Sequence, residues 1–288
     1  MPRIRSGRRS LLDAEPVQAG TAWREVVMRF IVILAAAIGL VAGCGGGGGG
    51  SSFKPGDGEV SPTGIWEGRI TFDAGESQEV VGLIAETREA MFIADDGLLI
   101  WGTATSDGNA LDVSYEWALP PGFVTPAGAF GGTGEITGTF VERVSIDGSF
   151  VSRSSEGEIF TGTVATGYND LYEDGSSLAV VTGVWLDTET GTEVLSIDAT
   201  GAVFSQDEAT GCVLNGTILP IDTEFNAYDV SLILQGCADP DLAPFNGTRF
   251  DGLGAVGDDL QPKDTLLFGA HGEILGVPIA IRAEYRKM

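Results

Sequence analysis

The thiols and imidazoles, which supply the most reactive nucleophiles, zinc ligands and neutral-pH bases, are few. They are three cysteines (Cys44, Cys212, Cys237) and one histidine, His271, set against 41 Asp and Glu. A Ser-His-Asp triad needs that histidine beside a serine, and no Gly-x-Ser-x-Gly elbow is present. Zinc sites built from His and Cys need several such ligands. His271 lies in Gly269-Ala270-His271-Gly272, which reads as a hairpin turn. Sugar hydrolysis needs two positioned carboxylates, and acids this numerous select no pair. For calcium the candidates are Asn169-Asp170 with Glu173-Asp174, Asp95-Asp96, Asp239 with Asp241, and Asp258-Asp259. None follows the Asp-x-Asp-x-Asp-Gly loop that sets ligand spacing, and the Asn169 to Asp174 group stands first among them. The expectation is a chain without catalysis and without a cofactor.

Cys44 has a different context. It ends Leu40-Val41-Ala42-Gly43-Cys44, after an apolar run at 30–41 preceded by Arg3, Arg5, Arg8, Arg9, Arg24 and Arg29. About 12 apolar residues suit the core of a secretory signal and fall short of a membrane span. The five residues resemble the lipobox of bacterial lipoproteins. That resemblance implies a diacylglycerol on the Cys44 sulfur, cleavage after Gly43 and a third acyl chain on the freed amine. Residues 1–43 are then a signal peptide, and Met28 is a possible true start. Gly45 follows the cysteine where enteric lipoproteins retained at the inner membrane carry Asp, which implies the outer membrane. Residues 44–61 form a lipidated cysteine and a Gly/Ser-rich tether, whose eight flexible residues reach roughly 15 Å.

Six of the 16 basic and three of the 41 acidic residues precede Cys44, so the mature part carries a net charge of about −28. This excludes nucleic acid and anionic lipid as electrostatic partners, because no basic patch is available to meet phosphates. With Cys44 given to lipid, Cys212 and Cys237 remain as an even pair in an oxidising compartment, which predicts a disulfide.

Downstream, short runs rich in Val, Ile, Thr and aromatics recur every 8–12 residues between Gly, Asp and Asn, the pattern of an all-β chain. Predicted strands run at 64–72, 79–85, 98–104, 110–117, 135–140, 148–152 and 159–164. A second series runs at 178–185, 193–197, 202–205, 212–221, 228–235, 248–254, 265–268 and 274–285. The two series share phrases in the same order. Gly64-Ile65-Trp66 matches Gly183-Val184-Trp185. The phrase at 99–103 matches 213–217, and 111–115 matches 228–232. The reading is two tandem antiparallel β-barrel-like domains of roughly eight strands each, at 62–166 and 178–288, joined by a polar linker at 167–177. Closure removes the exposed edges that such sheets would otherwise present. If 212–237 is a hairpin turning near 222–227, opposed residue numbers sum to 449. Cys212 then faces Cys237, Leu214 faces Gln235 and Ile221 faces Tyr228.

The paired Gly64/Trp66 and Gly183/Trp185 resemble the first-strand signature of lipocalins. There the Trp seals the barrel base and an Arg of the last strand packs over it. By that resemblance Arg282 covers Trp185, and Arg143 or Arg153 covers Trp66. More broadly, 62–288 resembles a group of uncharacterised proteobacterial outer-membrane lipoproteins. The phrases that carry this are Gly183-Val184-Trp185, Gly211-Cys212-Val213, Asn226-Ala227-Tyr228-Asp229-Val230, Asn246-Gly247-Thr248 and Tyr168-Asn169-Asp170-Leu171-Tyr172. The resemblance implies an envelope address and no activity. The first functional expectation is a lipid-anchored scaffold with an envelope protein partner. An alternative is a lipocalin-like carrier of a small apolar ligand, with a cavity lined by Leu99, Trp101, Leu214 and Leu232. A further alternative is calcium-dependent adhesion.

Overall fold

The computed structural model describes residues 60–288, apart from positions 121, 209, 241 and 275. The expected signal peptide, Met28, Cys44 and nearly all of the expected tether lie outside the described residues. Those described belong to one compact unit, Gly45–Met288, which holds both barrels and their cores and so has what it needs to fold without residues 1–44.

Sixteen strands form two closed antiparallel barrels of eight. The first contains β1 (Gly64–Phe72), β2 (Ser77–Ile84), β3 (Glu89–Ala94), β4 (Leu99–Asp107), β5 (Ala110–Ala118), β6 (Gly131–Val141), β7 (Ser145–Ser154) and β8 (Ile159–Asn169). Each strand pairs with its neighbour in sequence, and β1 closes on β8 from Ile65 opposite Asn169 to Phe72 opposite Gly162. The second contains β9 (Gly183–Asp187), β10 (Val194–Ile197), β11 (Ala202–Gln206), β12 (Val213–Pro220), β13 (Tyr228–Gln235), β14 (Thr248–Gly257), β15 (Thr265–Ile274) and β16 (Val277–Lys287). There β16 closes on β9. The expected all-β, two-barrel architecture is therefore present.

Period-two alternation builds these walls. Along β5, Leu111, Val113, Tyr115 and Trp117 are buried while Asp112, Ser114 and Glu116 are exposed. The inward series meets that of the other strands in a core containing Trp66, Ile84, Phe140 and Phe150. The second core contains Trp185, Tyr228, Leu232 and Phe268. The internal repeat extends to backbone detail. Gly102 on β4 and Gly216 on β12 occupy matching places in the shared phrases. A Cβ on either would lie 2.0 Å from a carbonyl oxygen of the next strand, that of Ser114 or of Ser231. Only glycine allows so close an approach.

The structure departs from the sequence reading at several places: β3 was not among the predicted strands, and β15 runs on to Ile274 where the reading stopped at 268. Residues 167–169 belong to β8, and a 3-10 turn, Asp170–Asp174, follows in place of a polar linker. Asn169 caps that turn by accepting from the Leu171 N–H at 2.9 Å. Leu178–Val181 is a turn of α-helix, so β9 begins only at Gly183.

A third apolar cluster lies between the barrels. It joins Leu83, Met91, Leu99 and Trp101 of the first to Phe225, Leu253 and Ala280 of the second. Leu99-Ile100-Trp101 is buried throughout, because Ile100 faces the first core while its two neighbours face the other barrel. Gly269 on β15 makes this contact close, since a Cβ there would stand 2.6 Å from both Leu99 Cδ1 and Met91 Sδ.

Candidate functional site

Each barrel is sealed by its Gly-x-Trp tryptophan. Trp66 and Trp185 are both fully buried. Each indole N–H donates to the carbonyl four residues earlier: Trp66 to Pro62 at 3.0 Å, Trp185 to Val181 at 2.8 Å. The partners above them differ from those the lipocalin resemblance implies. Arg282 is exposed on β16 opposite Gly269, in a groove with Glu67, Glu79 and Glu284, and Lys287 covers Trp185 instead. Lys287 lies opposite Trp185 in the sheet, with Nζ 5.2 Å from the ring centroid and donating to the Val180 carbonyl at 2.6 Å. Over Trp66 the neighbour is Tyr168, edge-on at 5.4 Å and opposite it in the ladder, in the place expected for Arg143 or Arg153. Arg143 pairs with Glu173.

The end of the first barrel away from Trp66 opens into a cavity of about 370 Å³. Its walls are inward positions of seven strands, including Ile70, Ile100, Ile136 and Val164. Five aromatic rings line it: Phe72, Tyr115, Trp117, Phe150 and Phe160. Phe72 and Phe150 meet edge to face at 5.4 Å, as do Trp117 and Phe160 at 6.2 Å. At the mouth stand Asp73 and Glu76 of the β1–β2 turn and Asp96 of the β3–β4 turn. Thr125 and Pro126 of the β5–β6 loop reach the same rim, where Glu158 accepts from the Thr125 hydroxyl and from the Ala127 N–H.

The wall holds hydrogen-bonding capacity that the protein does not use. Tyr115 and Ser152 bond to each other through their hydroxyls, which leaves one of the two O–H groups without an acceptor among the described residues. The Trp117 indole N–H is buried with no partner among the described residues. Burial pushes the Tyr115 phenol above its ordinary range, against the opposing bond with Ser152, so it stays a neutral hydroxyl. An apolar hollow of this size with a few polar groups in its wall can hold a small molecule.

None of the four residues expected to line a cavity lines this one. Leu232 faces the second core and Leu214 packs against it, but Leu99 and Trp101 face the other barrel. Tyr115, Phe150, Ser152 and Phe160 were not singled out from the sequence. The alternation of 110–118 carried the signal for Tyr115 and Trp117, while the isolated Phe150 and Phe160 gave none.

The remaining chemical residues take structural roles. His271 is mid-strand in β15, not in a hairpin turn, and stacks on Trp101 at 4.6 Å across the inter-barrel contact. Burial holds its pKa below the ordinary histidine value, with Asp251 opposing. Among the described residues no three His, Cys, Asp or Glu side chains converge as metal ligands. The Asn169, Asp170, Glu173 and Asp174 group is dispersed over other partners. Asn169 also donates to Glu67 at 2.6 Å, Glu173 pairs with Arg143 and Asp174 with Lys263. Asp96 caps the Leu98 N–H, Asp258 accepts from the Lys263 N–H, Asp259 pairs with Arg286, and Asp241 lies outside the described residues. Cys212 and Cys237 have their sulfurs at bonding distance. The ladder beside them is one residue out of the expected register. Leu214 faces Leu234, Pro220 faces Tyr228, and the last pair is Val213 with Gln235. Gly236, at φ 72°, supplies the extra residue that carries Cys237 back to Cys212.

No family model matches the chain, and a search of curated proteins gave no match.

Proposed function

We propose that this is a lipid-anchored outer-membrane protein that does no catalysis and holds a small apolar molecule in its first barrel. One observation carries the reading: an apolar, aromatic-lined hollow of about 370 Å³ open at one end of that barrel. The unpartnered Trp117 N–H and the spare hydroxyl of the Tyr115–Ser152 pair add support. Natural interiors leave few such donors without an acceptor. The lipobox-like segment ending at Cys44 and the glycine tether supply the address. The test is a native mass spectrum of residues 45–288 exported to an oxidising compartment. A mass excess that disappears on denaturation is expected. A bare polypeptide mass, together with failure to take up any added apolar probe, contradicts the reading.

Docking of an envelope protein is a second reading. It is supported by Phe123 and Val124, which are 63% and 49% exposed on the β5–β6 loop. Crosslinking in intact cells should then recover one partner from the native chain and lose it with Phe123→Ser. Equal recovery from both chains removes the support.

A further inference from the structure

The mouth of the first barrel is charged in one sense only. Asp73, Glu76 and Asp96 lie among the residues that bound the cavity, and no Lys, Arg or His does. Elsewhere on the described surface five carboxylates are in ion pairs. Glu79 pairs with Arg69, Glu173 with Arg143, Asp251 with Arg249, Asp174 with Lys263 and Asp259 with Arg286. None of the three rim carboxylates is in an ion pair among the described residues. Their hydrogen bonds are neutral: Asp73 accepts from Thr161 at 2.6 Å, and Asp96 accepts from Gln78 and from the Leu98 N–H.

Behind this rim stand five aromatic rings. Ring faces attract a cation by their quadrupole. Low-dielectric walls focus the field of the rim charges along the entrance. A fatty-acid carboxylate entering the barrel would have to leave its charge beside three like charges. An ammonium would find three carboxylates at the entrance, and the apolar body it carries would meet the aromatic lining behind them.

We propose that the occupant of the first barrel is an apolar organic cation, an amine or quaternary ammonium on a hydrophobic body. This rests on the reading of the cavity as a binding site. It names the charge of the ligand, which that reading leaves open. The cationic end lies at the rim of Asp73, Glu76 and Asp96, and the apolar body lies against Phe72, Phe150 and Phe160.

The test is calorimetric titration of residues 45–288 with three probes of one chain length: decyltrimethylammonium, 1-decanol and decanoate, each below its micelle concentration. At about 20 mM salt the cation should bind at least about fivefold more tightly than decanol, and decanoate most weakly. The preference should shrink at about 0.5 M salt, where exposed charges are screened. The triple variant Asp73→Asn/Glu76→Gln/Asp96→Asn should lose the cation preference and keep its affinity for decanol, which also reports that it has folded. The outer-face variant Asp112→Asn/Glu116→Gln/Glu135→Gln, with the same charge removed, should keep the preference. Decanoate binding as tightly as the cation overturns the ligand class and leaves the cavity reading intact. Equal loss from both triple variants assigns the preference to the general surface charge and overturns it too. Uptake of none of the probes removes the cavity reading and the ligand class with it.

Discussion

At the residue scale, the side chains most informative about energetics are buried polar groups with incomplete partners. Glu86 is 5% exposed at the inter-barrel contact. One carboxylate oxygen accepts from Tyr172 and the other has no partner among the described residues. Burial raises its pKa above the ordinary glutamate value. The bonds with Tyr172 and with its own backbone oppose the rise, and Asp222 adds to it. A carboxyl whose folded pKa is raised binds more protons in the folded than in the unfolded state. It therefore costs stability as pH climbs above the unfolded value near 4.5 and costs nothing below it. Glu86→Gln should accordingly raise the melting temperature at pH 7 by a few degrees, and the gain should vanish near pH 4. A gain that persists at pH 4 would place its origin elsewhere. Trp185 gives a second prediction. Trp185→Phe strands the Val181 carbonyl and leaves a void beneath Lys287, for a loss of about 2–4 kcal/mol in denaturant unfolding. The Gly-x-Trp pairs were legible because the motif repeats in one chain. Lys287 and Tyr168 were not, because a partner over an indole is chosen by cross-strand register, which no local pattern discloses. His271 was misread because its flanking glycines signal a turn. In the structure Gly269 instead permits the close approach of the other barrel.

At the element scale, the strands follow from alternation, and the corrections come from single residues. The 212–237 hairpin was placed one register out because Gly236, in a left-handed conformation, adds a residue that counting cannot see. The cysteines still meet. Their bond closes a loop of 25 residues, which the chain-entropy model values at about 3–4 kcal/mol. Reduction should lower the melting temperature of residues 45–288 by about 6–16 °C. A thiol count on unfolded, unreduced protein should give zero, and a count of two would rule out the bridge. Leu99-Ile100-Trp101 shows the other limit of alternation. A strand buried on both faces loses its period, so its outward residues could not be told from its inward ones.

At the scale of the whole molecule, the barrels share an apolar contact built on Trp101, Leu99, Met91 and Gly269. Gly269→Leu should force them apart and split one calorimetric transition into two. A single unshifted transition would show that the barrels unfold independently of this contact. The duplication itself was legible in matched phrases at matching intervals. That the first barrel is hollow was not, because cavity volume is a sum over side chains from every strand.

The central claim is that this hollow is a binding site. It is tested most directly by titrating residues 45–288 with the fluorescent apolar probe N-phenyl-1-naphthylamine, alongside the cavity-filling variants Val164→Phe and Ile136→Phe. The account predicts saturable one-to-one uptake by the native chain. It predicts uptake at least about tenfold weaker in whichever filled variant keeps the native circular dichroism. Absence of saturable uptake, or uptake unchanged when the hollow is filled, would contradict it.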